Sequence, residues 1–297
     1  YNARVNVDQE ITSWFKTGFN LSYANTEQNY PNSSTSAYAN QFMFTQGIAP
    51  IYPVYLYDNQ GNRQYDKNGN VIYDFGTASE YGYARAYGSN TNPIATQALD
   101  KHDYQTDVFD GNAYMEVSFL KDFTFRTNLA YYVSNRKDMD YQNALYGDAK
   151  NVGGRAYLYH YKRNVLTFNQ LLTWDKEIDL HSISIMAGHE AYKEDYHRSE
   201  TSKENFYYPG NPELSNAAKI TGATSWLAEK RMESYLAKAE YNYDNRFYGS
   251  VSFRTDGSSR FHKDERWGQF WAIGGAWRIS QERFMEDVSW VSNLKLK

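Results

Sequence analysis

The feature that most constrains the fold of this chain is a period-two alternation of apolar and polar residues. In residues 15–24 one face would carry Phe15, Thr17, Phe19, Leu21 and Tyr23. Similar alternation follows in residues 112–119, 123–133, 183–187, 235–243 and 247–254, and more weakly in residues 165–174. Because successive side chains of a strand point to opposite faces, the pattern predicts an all-β chain of roughly nine strands and the start of another.

The predicted connections between these strands alternate in length. Short turns are expected at residues 120–122, 175–180 and 244–245, and long links near residues 28–106, 135–158 and 193–226. Long loops are uncommon inside a compact soluble domain. Short turns at one end and long loops at the other are typical of outer-membrane barrels.

The composition fits a sheet that separates an apolar medium from water. The chain of 297 residues contains 29 Tyr, 16 Phe and 7 Trp, although its mean hydropathy is only −0.79. Tyrosine suits surfaces where one end is apolar and the other is wet. A run of about 18 apolar residues, as a transmembrane helix requires, is absent from the sequence, whereas a membrane-crossing strand needs only about 10 alternating residues.

Charge and cysteine content narrow the function classes. The net charge of −4 indicates no attraction to nucleic acid. The chain has no cysteine, so a disulfide framework and a thiolate zinc site are excluded.

The two predicted faces imply a transmembrane barrel. Backbone amides in hydrocarbon must all be paired, which forces strands into a closed antiparallel barrel. The polar face would then line a wet lumen, and aromatic residues at the strand ends would form the interfacial girdles. Trp267, Trp271 and Trp277 are therefore expected to face lipid and headgroups. A soluble β-sandwich or lipocalin-like barrel is the competing interpretation.

A family resemblance appears in residues 254–285, which read RTDGSSRFHKDERWGQFWAIGGAWRISQERFM. This stretch resembles the signature hairpin of SusC/RagA-type TonB-dependent outer-membrane transporters. The matching residues are Arg254, Asp256, Gly257, Ser258, Ser259, Arg260, Phe261, Trp267, Gly268, Phe270, Trp277, Arg278, Ile279, Ser280, Glu282 and Phe284. Trp271 departs from the family, which usually has Pro there. Residues 47–62, 92–95 and 111–131 also resemble this family.

The resemblance implies a large barrel of the 22-stranded type, of which residues 1–297 would form a part in one domain. The signal peptide and plug are expected before residue 1, and further strands after residue 297. It also implies a Gram-negative outer-membrane location, surrounding membrane lipid, energy from TonB through a segment outside this chain, and a SusD-type surface lipoprotein as lid. The implied ligand is an oligosaccharide, or another large nutrient such as a peptide.

Loop aromatics are the candidate ligand or lid contacts. They are Tyr52, Tyr55, Tyr57, Phe206, Tyr207 and Tyr208, although loop-to-loop packing would explain them as well. The hairpin residues are expected to be structural. Residues 256–259 are predicted to form a turn, with Arg254, Arg260, Asp264, Glu265 and Arg266 as a charge network around it. Ser280 is predicted to cap a short helical turn.

No catalytic, metal or cofactor site is expected. The DNQGN and DKNGN stretches at Asp58 and Asp66 lack the glutamate of a calcium loop, so they predict β-turns. His189 and Glu190 lack the second histidine of the zinc-protease motif. Phosphate-loop, dinucleotide and nucleophile-elbow motifs are also absent from the sequence.

Import through a plugged barrel is therefore the leading functional prediction. A passive porin or a structural or adhesin barrel is the alternative, since neither would need a lid or a plug. A barrel enzyme is disfavoured because the sequence shows no nucleophile or paired-acid motif.

Overall fold

The computed structural model describes residues 1–30, 41–77, 85 and 92–297. Ten strands form one antiparallel sheet whose order follows the chain, β1 to β10. The strands are β1 (Asn2–Thr12), β2 (Phe15–Asn29), β3 (Lys101–Phe119), β4 (Phe123–Gln142), β5 (Arg155–Ile178), β6 (His181–Phe206), β7 (Ala217–Tyr243), β8 (Phe247–Ser258), β9 (Trp267–Arg278) and β10 (Lys295–Leu296). The prediction of an all-β antiparallel chain is confirmed.

The helices of the described residues are short. They are α1 (Gln41–Gly47), α2 (Pro93–Leu99) and single 3-10 turns at Lys150–Val152, Leu214–Asn216, Lys263–Glu265, Ile279–Gln281 and Arg283–Met285. Within the described ranges, none of these helices has the length and apolar character to cross a membrane.

Two predicted loops contain long stretches of strand, which corrects the links expected at residues 135–158 and 193–226. Strands β5, β6 and β7 contain 24, 26 and 27 residues. A membrane crossing needs only about 9–11 residues, so these strands extend well beyond it. Continuous cross-strand pairing supports the extension, because each polar residue there still pairs its backbone with a neighbouring strand. The alternation signal fades outside the membrane because both faces of the sheet are then wet.

The register places the apolar alternating residues on one face. This apolar band consists of Val7, Phe19, Leu21, Ala113, Met115, Phe125, Leu129, Phe168, Leu172, Ile185, Ala187, Ala237, Ala239, Val251, Phe253, Trp271 and Ile273. Most of the large side chains in it are exposed. The opposite, polar face carries Lys16, Glu116, Arg126, Asn128, Asn169 and Glu240. A soluble domain would not leave such a band uncovered.

Aromatic rings line the short-turn end of the apolar band. Phe119 and Phe123 stack at 5.5 Å, and Phe123 lies 6.5 Å from Trp174. Farther along the sheet, Phe247 lies 6.5 Å from Tyr243 and 6.3 Å from Trp277. Such a row is typical of the interfacial girdle of a membrane barrel.

The three tryptophans of the signature hairpin share the apolar face, as predicted. Trp271 lies in the middle of β9 and is 75% exposed. Trp267 and Trp277 lie at the two ends of β9, where Trp277 is half-buried and donates its indole N–H to Glu282 at 2.9 Å. Their spacing along the strand, about 33 Å, brings the end residues to opposite edges of the band.

The turn predicted at residues 256–259 is wrong in its position. Strand β8 continues through Ser258, and the reversal occupies residues 259–266. Gly257 is a ladder residue opposite Trp267, and a Cβ on Gly257 would lie 2.9 Å from that indole ring. The glycine is therefore needed for the close approach of the indole rather than for a positive φ.

The predicted charge network around this turn is also wrong in its partners. Arg254 points across the sheet on the polar face, where its guanidinium binds Asp256 at 2.7 Å and Glu190 at 3.3 Å. It also donates to the hydroxyl of Ser234, which is buried. Arg266 instead donates to the carbonyl of Phe261. Strand pairing keeps Arg254 in the sheet, away from the tip of the loop.

The predicted Ser280 cap is wrong, because no side chain caps either 3-10 turn at residues 279–285. Glu282 fixes this segment instead. Its carboxylate accepts hydrogen bonds from Arg246 and from the indole of Trp277. An ion pair with Arg246 in the β7–β8 turn and a hydrogen bond from Trp277 on β9 thus hold the connection at the short-turn end.

The loop at residues 55–76 contains a repeated eight-residue pattern, YLYDNQGN, RQYDKNGN and VIYDFG. Three backbone hydrogen bonds close it in a ring: Leu56 N to Ile72 O, Ile72 N to Gln64 O, and Gln64 N to Leu56 O. Asp58 and Asp66 each accept two amide hydrogen bonds at 2.8–2.9 Å within their turns. Gly61 and Gly69 have φ of +83° and +82°. The prediction of two β-turns is confirmed.

Side chains at the far end of this repeat unit tie it to the rest of the molecule. Asn92 donates to the carbonyls of Val54 and Asp74, and Arg85 forms a buried ion pair with Asp74. Phe75 stacks on Tyr146 at 4.7 Å. The repeat unit is thereby held against the connection between β4 and β5.

Candidate functional site

The candidate site is a group of aromatic and arginine side chains on the polar face, beyond the apolar band and toward the long-loop end. We call this group the tyrosine wall. It consists of Tyr30, Tyr104, Arg136, Tyr157, Tyr159, Tyr161, Tyr196, Arg198 and Trp226.

Strand register brings these residues together. Arg136 on β4 is paired with Tyr161 on β5, Tyr161 with Arg198 on β6, and Arg198 with Trp226 on β7. Residues paired directly across a sheet share a face. The same ladders place Arg136 on the face that carries Arg126 and Asn128, ten and eight residues earlier on β4. The tyrosine wall therefore continues the polar face toward the long-loop end of the strands.

The rings form a nearly continuous surface across the sheet. Tyr30 lies 5.0 Å from Tyr104, and Arg136 bridges Tyr104 and Tyr161 at 5.0 and 5.6 Å. On the other side, Tyr196 lies 6.5 Å from Tyr161 and 5.2 Å from Trp226. From β3 to β7 there are four strand spacings, roughly 19 Å in all. That width suits several consecutive units of a chain-like ligand.

A second row runs along β5. Tyr157, Tyr159 and Tyr161 are stacked at 6.3 and 6.2 Å, with their ring planes within 15° of parallel. Arg198 covers Tyr159 and Tyr161 at 5.4 and 5.5 Å. These cation–π contacts orient the rings before any ligand arrives.

Both arginines of the wall are neutralised locally. Arg136 binds Asp138 at 2.6 Å, and Arg198 binds Glu200 at 2.8 Å. Asp138 is buried, and burial raises the pKa of Tyr104, Tyr159 and Tyr161 above the usual value for tyrosine. The tyrosines therefore remain neutral near pH 7, and the wall has no free cation with which to hold an anion.

A titratable cluster closes the upper end of the wall. His102 is buried and lies 3.1 Å from Asp140 through Nδ1, and this hydrogen bond raises the pKa of His102. Nearby Asp100 accepts two hydrogen bonds from Asn143, while burial raises the pKa of its carboxyl group. The cluster joins the end of α2 to the first residues of β3.

The predicted contact residues fall in two separate places. Tyr52, Tyr55 and Tyr57 lie in or beside the repeat unit, where Tyr55 is 5.3 Å from Tyr73 and is covered by Arg63 at 4.4 Å. Tyr207 and Tyr208 lie in the connection between β6 and β7 and are exposed. The first group thus belongs to the repeat unit and the second to the end of β6 and the connection after it, and neither is part of the tyrosine wall.

Phe206 occupies a different environment from its two neighbours. It is 7% exposed and packs edge-on against Tyr141, in a small core with Met139, Ala156 and Ala217. Little of its ring remains available to a ligand, so Phe206 has the structural role that loop-to-loop packing predicts.

The tyrosine wall was missed in the sequence because its residues come from five strands, β3–β7, and from the residue that follows β2. One local signal was present, since Tyr157, Tyr159 and Tyr161 alternate within RAYLYHYKRN. That alternation places three tyrosines on one face of a strand. The stretch falls partly in the link predicted at residues 135–158, which hid the pattern.

Among the residues that the structure describes, no group of three histidine, aspartate or glutamate side chains is arranged to hold a metal ion.

Comparisons with known proteins identify relatives over most of the chain. The chain is 27% identical to TonB-dependent receptor SusC of Bacteroides thetaiotaomicron, over 84% of this chain and 25% of that protein. It is 26% identical to TonB-dependent receptor P39 of Formosa agariphila, over 80% of this chain and 23% of that protein. The chain therefore spans about a quarter of the length of these relatives. No family model matches.

Solved structures show the same fold. The structure of the RagAB peptide transporter aligns with 99% of this chain and 32% of that chain, with a TM-score of 0.79 and 20% identity. The RagAB peptide importer in its open-open state aligns with a TM-score of 0.76 and 20% identity. The resemblance to SusC/RagA-type transporters, the β-barrel fold class and the Gram-negative outer-membrane location are confirmed.

Proposed function

We propose that this chain, a barrel segment of the SusC/RagA type, forms part of an importer of oligosaccharides or of other large nutrients such as peptides. In an outer-membrane barrel the apolar band contacts lipid and the polar face contacts the lumen. The observation that carries the proposal is the tyrosine wall, which lies on the polar face at the long-loop end. A ligand entering from the long-loop end would pass along the wall.

The chemistry of the wall favours a sugar chain among these ligands. Aromatic rings present broad, rigid apolar faces, and the hydroxyls of tyrosine can also hydrogen-bond at their edges. Arg136 and Arg198 are held by Asp138 and Glu200, so they offer little to a polyanion. The similarity to the TonB-dependent receptor SusC supports the import proposal. The similarity to the RagAB peptide transporter is the reason that a peptide is the second proposed ligand class.

The whole importer would contain parts that lie outside this chain. We propose that residues 1–297 belong to one transmembrane barrel domain, with a plug before residue 1 and further strands after residue 297. Energy would come from TonB through a segment outside the chain, and a SusD-type lipoprotein would cap the barrel. Tyr52, Tyr55, Tyr57, Tyr207 and Tyr208 are the proposed lid or ligand contacts.

The test measures ligand binding and uptake in cells from which the gene has been deleted and into which a gene for the full-length protein has been reintroduced. Uptake of pooled neutral oligosaccharides and of pooled peptides is compared for the wild type, Trp226→Ala and Trp290→Ala. Trp226 belongs to the wall, whereas Trp290 is an exposed tryptophan near the other end of the sheet. Truncating a central aromatic contact is expected to weaken binding about tenfold. Uptake that persists without the gene would contradict the proposal.

A passive porin or a structural or adhesin barrel is the competing function. Neither would need a lid, so purification in mild detergent separates the hypotheses. A lipoprotein recovered in stoichiometric amount supports import, and its repeated absence favours the passive barrel. An enzyme has no support here, because the wall presents rings and paired charges rather than a nucleophile with a base.

A further inference from the structure

A hollow opens on the apolar face at the upper edge of the apolar band. It has a volume of about 460 Å³, and its walls include Leu166, Phe168 and Trp267. Gly257 contributes to the hollow because it has no side chain beside the indole of Trp267. Lys193, Arg231 and Arg266 stand around the same hollow. An apolar cleft thus meets cationic groups where the band ends.

Further basic side chains lie on the same face, between the hollow and the long-loop end of the strands. Lys137 is paired with His160, and Lys162 with His197, in the ladders that also carry Leu166 and Lys193. All four side chains are exposed, and neither Lys137 nor Lys162 forms an ion pair with any described residue. We call Lys137, Lys162, Lys193, Arg231 and Arg266 the basic patch.

The acidic groups nearby do not cancel this charge. Asp195 is shared by Lys193 and Arg231, each at 3.0 Å, and Glu229 binds Arg231 at 3.0 Å. Glu233 is held by Tyr235 and His189. On the apolar face of β4–β7, four cationic side chains therefore face three carboxylates before either exposed histidine is protonated. Arg266 adds a cation from the β8–β9 connection, which also holds Arg260 and Lys263 with Asp264 and Glu265.

The charge is confined to one part of the sheet. At the same height on β2 and β3 the apolar face carries Glu27, Asp103 and Asp107, paired with Gln105, Asn29 and Asn25. Residues beyond the apolar band are therefore basic on β4–β7 but acidic on β2 and β3.

We propose that the hollow and the basic patch bind one phosphate-bearing lipid of the outer leaflet. At the height of the apolar band, lipid lies against this face of an outer-membrane barrel, and the basic patch begins where the band ends. An acyl chain would occupy the hollow between Phe168 and Trp267, and the phosphate would accept charge-assisted hydrogen bonds from the basic patch above it. The lipid would thereby fix the height of the long strands β5–β7 in the membrane. The inference needs the outer-membrane location but not the proposed import.

The experiment uses the full-length protein, purified in mild detergent and stripped of native lipid. Binding of monophosphoryl lipid A, of its dephosphorylated form and of inorganic phosphate is measured by native mass spectrometry. The double variant Lys162→Gln/Lys193→Gln is compared with Lys121→Gln/Lys150→Gln, which removes two exposed lysines elsewhere. Heat-dependent mobility on a gel verifies that each barrel is folded.

The wild type and the control variant are expected to bind one phosphorylated lipid, and the patch variant to bind it at least about tenfold more weakly. The dephosphorylated lipid is expected to bind the wild type more weakly as well. Equal affinity of the patch variant and the wild type would overturn the proposal. So would equal binding of both lipid forms, or binding of inorganic phosphate without lipid.

Discussion

At the scale of single residues, the tyrosine wall depends on charges that are already paired. Asp138 is buried and its carboxylate accepts from the half-exposed Arg136, which in turn covers Tyr104 and Tyr161. A buried carboxylate without a partner costs more than the pair contributes. Arg136 therefore acts as both the partner of Asp138 and the support of two rings.

Arg136→Ala is expected to destabilise the upper part of β4 by about 1–3 kcal/mol, since Asp138 would lose its partner. The double variant Arg136→Ala/Asp138→Ala should recover part of that loss, because no buried charge remains. Native-state amide hydrogen exchange of residues 134–142 measures both effects. A double variant as unstable as the single one would show that the pairing is not the cause.

His102 makes the upper end of the wall pH-dependent. Its pKa is raised in the folded protein by the hydrogen bond to Asp140. This contribution to stability is therefore complete below the unfolded pKa of about 6.5 and is lost as the pH rises through the raised folded value. Protease resistance at the α2–β3 junction should fall over that interval in the wild type. In His102→Gln it should not change with pH there, and an equal fall would refute the assignment.

At the scale of elements, two sets of hydrogen bonds hold segments of the chain that are not paired as strands. One is the carboxylate of Glu282, which joins the segment after β9 to Arg246 and Trp277. The other is the ring of backbone hydrogen bonds within the repeat unit at residues 55–76. Both depend on a few polar groups rather than on buried apolar area.

Glu282→Gln is expected to release the segment at residues 279–294. The substitution keeps the shape of the side chain but loses the charge-assisted character of the hydrogen bonds to Arg246. Limited proteolysis of the folded barrel from the short-turn side would detect the release. Glu286→Gln, for which the structure shows no side-chain ion pair within the described residues, is the matched control. Equal cleavage of both variants would contradict the assigned role of Glu282.

Gly61→Ala and Gly69→Ala are expected to loosen the repeat unit. Each glycine has a positive φ, which costs an alanine about 1–2 kcal/mol, and neither has an atom near its missing Cβ to clash with. Gly249→Ala, an open position with ordinary φ, is the control. Faster amide exchange at Leu56, Gln64 and Ile72 should follow in the first two variants only. Unchanged exchange would show that the ring does not depend on these turns.

At the scale of the whole molecule, the two faces of the sheet meet different solvents. Ala272 and Ile273 are neighbours on β9 and point to opposite faces, Ala272 with Ser252 and Ile273 with Val251. Because a strand alternates strictly, one residue should contact lipid while the next does not. This is the property on which the barrel, the tyrosine wall and the lipid site all depend.

Spin labels at Ile273→Cys and Ala272→Cys test this property directly, since residues 1–297 contain no cysteine. In proteoliposomes the label at position 273 should be relaxed by oxygen, which concentrates in lipid. The label at position 272 should respond less to oxygen. Equal responses at the two positions, or the reverse order, would contradict the assignment of the faces.

The sequence by itself determined the strand architecture and the chemistry of its two faces. Alternation is a local property, so residues such as Phe19, Leu129 and Trp271 could be assigned to the apolar face without knowledge of their neighbours. The turns at Asp58 and Asp66 were also predictable, because Asp and Gly at fixed spacing encode the turn within five residues.

Only the tertiary structure decided which side chains meet. The tyrosine wall draws Tyr104, Tyr161, Tyr196 and Trp226 from four strands and Tyr30 from the end of β2, and a shift of one residue in any register would move its residues to the other face. The same holds for Lys162 and Lys193, which are far from Trp267 in the chain. Strand length was decided in this way too, because the polar extensions of β5–β7 are stabilised by pairing between strands, a contribution that no single segment reveals.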